Sequence, residues 1–143
     1  MKRAIWLIVV MAVLGMDSGL GAQNTSQCPI IHVEKGTVIA FYPPVSPKDE
    51  EDADANEALS DFQFHAERIK QPLSKANVYF HELYVHSFRL HMSGKTIAFH
   101  PKKAVGYYLI VPGKKPHVEY GVMTDADLLA IVKRYFGVSI DSK

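Results

Sequence analysis

Cysteine occurs once in this 143-residue chain, at Cys28. A single cysteine closes no internal disulfide, so the core has to hold without that cross-link. A surplus of charge is missing too: 16 Lys and Arg stand against 15 Asp and Glu, a formal net charge of +1. That balance argues against a nucleic-acid binder, whose electrostatics call for a basic surface. The chain also has no Gly-x-Ser-x-Gly, no His-Glu-x-x-His and no glycine-rich phosphate loop, which removes the common hydrolase, zinc-protease and nucleotide templates. Ser46 and Ser60 have no predicted base beside them. An acid–base pair drawn from the acidic residues 49–54 would sit in water, where nothing tunes it. Neither an enzyme nor a cofactor is expected.

What is present begins with an address. Lys2 and Arg3 precede the apolar run from Ala4 to Met16, which is short for a bilayer span, and Gly19-Leu20-Gly21-Ala22 supplies small residues after it. The pattern reads as a secretory signal peptide over 1–22, cut after Ala22, with Leu20 a weaker choice than alanine three residues before the cut. An uncleaved anchor is the alternative. The expected location is periplasmic or secreted, with no membrane contact after cleavage. Cleavage leaves 121 of the 143 residues. Fourteen basic residues remain once Lys2 and Arg3 are gone, and fourteen acids once Asp17 is gone. That length suits one domain with one core. Residues 23–35 read as an N-terminal segment and 36–143 as the domain. Cys28 lies in the first of these, where it is either incidental or free to pair with another chain or a small thiol.

Thr37-Val38-Ile39-Ala40-Phe41-Tyr42 is β-branched and aromatic between Gly36 and Pro43-Pro44, and reads as a buried strand. Ile30 to Val33 suits a short edge strand. Pro43 to Ala55 is a loop whose end holds Asp49, Glu50, Glu51, Asp52 and Asp54. A calcium loop would want a glycine at its bend, and none is there; the acids suit the entry to a helix, where negative charge is favoured. That helix is expected over 56–71, with Pro72 ending or kinking it. Val78 to Tyr84 is the next strand. Phe88–Met92 and Lys95–His100 flank Ser93-Gly94, a two-residue hairpin signal. Tyr107 to Val111 is apolar on both faces, hence an interior strand. Pro112-Gly113 turns the chain into an alternating edge strand over 117–120. Thr124 then caps an amphipathic helix that stops at Gly137.

Seven histidines is a high number for this length, six of them between His32 and His100. His81, His86, His91 and His100 lie in or beside predicted strands and would suit zinc or copper if three converged. The spacings do not favour convergence: consecutive members fall on opposite faces of an extended chain, and His91 faces Thr96 in the hairpin register. Tyr79, Tyr84, Tyr107, Tyr108 and Tyr120 suit either sheet packing or a binding surface, because tyrosine is favoured where one end is buried and the other wet.

In order, the elements are strand, helix, strand, inserted hairpin, strand, strand and helix. This order resembles the thioredoxin-like fold, a βαβ half and a ββα half around a central sheet. The residues 106–136 are similar to the closing ββα of thioredoxins, and 36–42 to the strand that delivers their active-site loop. The resemblance implies an α/β, three-layer sandwich: a central mixed sheet, flanking helices and an inserted β-hairpin. Where thioredoxins carry Cys-x-x-Cys, this chain has Pro43-Pro44-Val45-Ser46-Pro47, and Ala104-Val105 stands where the family has a proline. Dithiol–disulfide exchange and cysteine-based peroxidase chemistry are therefore not expected. The resemblance implies a non-catalytic binding or accessory module. Its partner, protein or small molecule, would meet Tyr42, Pro43, Pro44, Val105 and Gly106. Periplasmic metal binding through the four histidines is the other reading.

Overall fold

The computed structural model describes residues 28–48 and 51–140; the expected signal peptide, its cleavage point and Asp49 and Glu50 lie outside them. The described chain is a mixed α and β structure. Its elements are β1 (Ile30–His32), β2 (Thr37–Tyr42), α1 (Ala53–Lys75), β3 (Tyr79–Tyr84), β4 (Phe88–Met92), β5 (Lys95–Phe99), β6 (Gly106–Ile110), β7 (His117–Tyr120) and α2 (Asp125–Phe136). They form two sheets, one in the order β3-β2-β6-β7 and a smaller one in the order β1-β4-β5.

In the larger sheet β2 runs parallel to β3 and antiparallel to β6, and β7 is antiparallel to β6. The apolar runs of β2 and β6 account for their central places. Val38, Ala40, Tyr107 and Leu109 face one core with Phe62, Ile69, Leu128 and Val132 of the helices. Ile39, Phe41, Tyr108 and Ile110 face a second core with Ile31, Val33, Phe88 and Leu90. Both helices thus cover one face, and the small sheet covers the other. This differs from helices flanking the sheet: the hairpin β4–β5 takes the second face, and β1 joins it in parallel register, Ile31 beside Leu90. Ile30–His32 is an edge strand of the small sheet, as its sequence suggests, with Ile31 and Val33 buried in the core that this sheet covers.

Local chemistry explains the boundaries. Ser93 and Gly94 both have positive φ, 52° and 74°, the geometry a two-residue hairpin turn needs. Gly137, at φ 67°, stops α2 in the left-handed conformation, and Thr124 Oγ1 accepts from the Asp127 amide at 3.2 Å to start it. The first helix is longer than 56–71. Asp52 caps it by accepting from the amides of Asp54 and Ala55 at 3.0 and 3.3 Å, so the acidic segment supplies its own helix start. Pro72 lies inside the last turn. There it removes only the bond to the Arg68 carbonyl, and the helix continues to Lys75 because Phe62, Ala66, Ile69 and Leu73 are all fully buried.

Candidate functional site

Because β2 and β3 are parallel, their carboxyl ends lie side by side, with Tyr42 paired to Tyr84. Their rings are 6.4 Å apart, and Phe62 of α1 packs 5.1 Å from Tyr42 and 6.5 Å from Tyr84. The start of β6 reaches the same end: Gly106 pairs with Phe41, and the Val105 carbonyl accepts from the Gly121 amide at 2.9 Å. Tyr42, Pro43, Pro44 and Val105 are half-buried and Val45 is exposed. The sheet thus brings these candidates to one rim, at the carboxyl ends of parallel strands where open α/β sheets place ligands. Gly106 plays another part. It is buried, and a Cβ there would come within 2.3 Å of the Glu119 carbonyl and 2.9 Å of the Phe41 ring. It backs the rim and lets β7 approach.

Beside Tyr84 lies a polar set that only the packing of α1 against β3 brings together. Glu82 and Tyr84 share one face of β3, while Gln63, Glu67 and Lys70 form a stripe of α1 at helical spacing. The Tyr84 hydroxyl donates to the Glu82 carboxylate and accepts from Gln63 Nε2 at 3.0 Å. Lys70 Nζ bridges Glu67 at 2.5 Å and Glu82 at 3.3 Å. Burial, with the neighbouring Glu82, pushes the Tyr84 hydroxyl up to about 12. Bonding to Glu67 is the main cause of a raised Lys70 ammonium. Both groups hold their protons more firmly than usual, the reverse of what a general base at neutral pH requires. The set can present hydrogen bonds and charge to a ligand beside the aromatic rim. Its signal was the i, i+4, i+7 polar stripe facing an i, i+2 pair.

Under the rim, Tyr107 stacks on Phe62 at 5.8 Å. Among the described residues its hydroxyl is the one buried side-chain polar atom with no hydrogen-bond partner. Burial raises it, and the Met123 backbone is near enough to favour the ionised form slightly without making a good bond. A second junction ties the helices. Arg68 Nε donates to Asp125 Oδ2 at 2.9 Å, and His65 Nδ1 lies 2.9 Å from Asp125 Oδ1 and 3.1 Å from the Asp125 amide. A neutral ring accepts from the amide; a ring protonated at Nδ1 donates to the carboxylate.

The four histidines of the metal reading are distributed. His81 is on β3, facing the small-sheet side with Leu83, and desolvation lowers its pKa. His86 is exposed between β3 and β4, and His100 is exposed just after β5. His91, on β4, lies 2.9 Å from Thr96 Oγ1 through its Nδ1 and faces His32, not the other three. Among the described residues no three His, Cys, Asp or Glu side chains come close enough together to hold a metal ion. Cys28 lies beside Ser87, whose hydroxyl is 3.7 Å from its sulfur. No protein-family model, curated protein or solved structure matches this chain.

Proposed function

We propose that the chain is an exported, single-domain protein on a thioredoxin-like plan, without dithiol–disulfide chemistry, that works as a binding or accessory module. One observation carries the reading. The unit β2–α1–β3 and the unit β6–β7–α2 share a sheet in the order β3-β2-β6-β7, with Pro43-Pro44-Val45-Ser46-Pro47 at the crossover where that plan places its dithiol. The hairpin β4–β5 stands in for the plan's second helix. In that plan the thiolate is stabilised by the positive end of a helix. Here that end is occupied by the Asp52 cap and by Asp54 in the first turn, and Cys28 lies two residues before β1.

On this reading the partner meets Tyr42, Pro43, Pro44 and Val45, with Tyr84 and its polar neighbours alongside. Gly106 is a poor probe, since its substitution would disturb the fold. A photo-crosslinking residue at position 45 tests the rim in cells, with one at the exposed position 75, at the far end of α1, as the reference. The expected result is a discrete adduct from position 45 that fades in Pro44→Asp. Equal labelling from both positions would remove the rim as the binding site. Insulin reduction no faster than that of Cys28→Ser is expected as well; a clear difference would restore thiol chemistry to the reading.

A further inference from the structure

The small sheet has an outer face turned away from the core. It carries Ile30 and His32 of β1, Arg89 and His91 of β4, and Thr96 and Ala98 of β5, because Ile31, Phe88 and Leu90 take the inner positions. The parallel register sets His32 directly beside His91. Their ring centres are 5.1 Å apart and their planes meet at 52°, so the rings are not stacked. An imidazole nitrogen about 2.0–2.1 Å from zinc puts its ring centre about 3.2 Å from the ion. Two imidazoles on one tetrahedral ion then have centres about 5.2 Å apart. The observed pair is already at that separation.

The surroundings agree. His91 Nδ1 lies 2.9 Å from Thr96 Oγ1. When Nδ1–H donates to that oxygen, Nε2 keeps its lone pair, the role that an outer hydrogen-bond partner has for a metal-bound histidine. His32 is exposed. Arg89, the cation on the same strand face, is drawn away, its Nη2 donating to the Cys28 carbonyl at 3.2 Å.

We propose that His32 and His91 form a two-imidazole site for a late first-row divalent ion, with water or an incoming ligand in its other coordination positions. Imidazole suits both zinc and copper; the tetrahedral separation is that of zinc, and copper(II), which heads the affinity order, serves as the spectroscopic probe of the pair. The site shares only His91 with the set His81, His86, His91 and His100. It stands or falls independently of the rim.

The test is a copper(II) titration of the protein carrying no histidine tag, read by calorimetry and by nitrogen hyperfine splitting in electron paramagnetic resonance. One equivalent per chain coordinated by two nitrogens is expected, weakened at least about tenfold in His32→Ala and in His91→Ala. Thr96→Val should weaken it about tenfold or more through the lost outer bond, and His81→Ala and His86→Ala should leave it unchanged. His32 is exposed, so its variant reads binding without disturbing the core. Wild-type affinity in His32→Ala, or several equivalents spread evenly over the histidines, would overturn the proposal.

Discussion

Gly106 shows how one missing side chain sets the approach of two strands. Its neighbours are backbone and a buried ring, the Glu119 carbonyl and the Phe41 Cζ, and neither can swing aside as a surface side chain would. Gly106→Ala is therefore expected to cost about 1–3 kcal/mol by overpacking, seen as a lower urea midpoint with an unchanged slope. An unaltered midpoint would mean that β7 can shift freely. The glycine was visible in the sequence, but its partner was not. A residue's neighbour on an adjacent strand depends on register, and register is fixed only when both faces of β6 find their cores. The same limit hid the polar set at Tyr84. Gln63, Glu67 and Lys70 look like a solvated stripe until β3 is placed opposite them with Glu82 and Tyr84 on the facing side.

At the level of elements, the sequence was most legible where local chemistry decides. The Ser93-Gly94 turn, the Thr124 cap and the Gly137 stop are all set by residues within a few positions, and each stands where the pattern placed it. The first helix, Ala53–Lys75, extends past the expected 56–71 at both ends. Asp52 looked like one acid among several, and its capping role appears only once the amides of Asp54 and Ala55 point at it. Pro72 suggests either an end or a kink, and packing of Leu73 holds the last turn beyond it. The junction between the helices gives a pH prediction. Arg68 first, and His65 after it, hold the Asp125 carboxyl below its usual value of 3.8. Its contribution to stability is thus fully present above about pH 4 and is lost as pH falls through the lower folded value. With Arg68 largely exposed, the effect is worth less than about 1 kcal/mol. In chemical denaturation, Asp125→Asn should show a shallower loss of stability than wild type between about pH 4 and pH 2. Identical slopes would assign the acid response elsewhere.

For the whole molecule, aromatic burial predicts behaviour at the other end of the scale. Desolvation pushes Tyr84 and Tyr108 up to about 12 and raises Tyr107 and Tyr135 as well. The unfolded chain ionises these phenols near 10, so stability is intact below that value and falls as pH rises from about 10 toward 12. Absorbance at the phenolate band should therefore rise in two stages, the later one coinciding with unfolding. Full ionisation near pH 10 with the fold intact would contradict the burial. This scale was the least legible in the sequence. The order of elements and the central places of β2 and β6 follow from their two-sided apolar runs. Nothing local told that the hairpin would cover the second face, because Phe88 and Leu90 match any apolar surface, and β1 is too short to carry a pattern.

The pairing of β1 with β4 has a consequence in time. Ile30 and Arg89 lie opposite each other although fifty-nine positions separate them, and contacts between distant positions form late because a long loop must close first. A chain that emerges amino end first releases β1 early and its partner only after both β2 and α1 have appeared. During that interval Ile31 and Val33 have no sheet to join. The β2–β6 pairing closes a longer loop still, since Thr37 meets Ile110, so the small sheet, and with it the His32–His91 pair, should form before the large sheet is complete. In pulse-labelled hydrogen exchange the Val33 amide, which bonds to the His91 carbonyl at 2.9 Å, would then gain protection no later than the amides by which β2 pairs with β6.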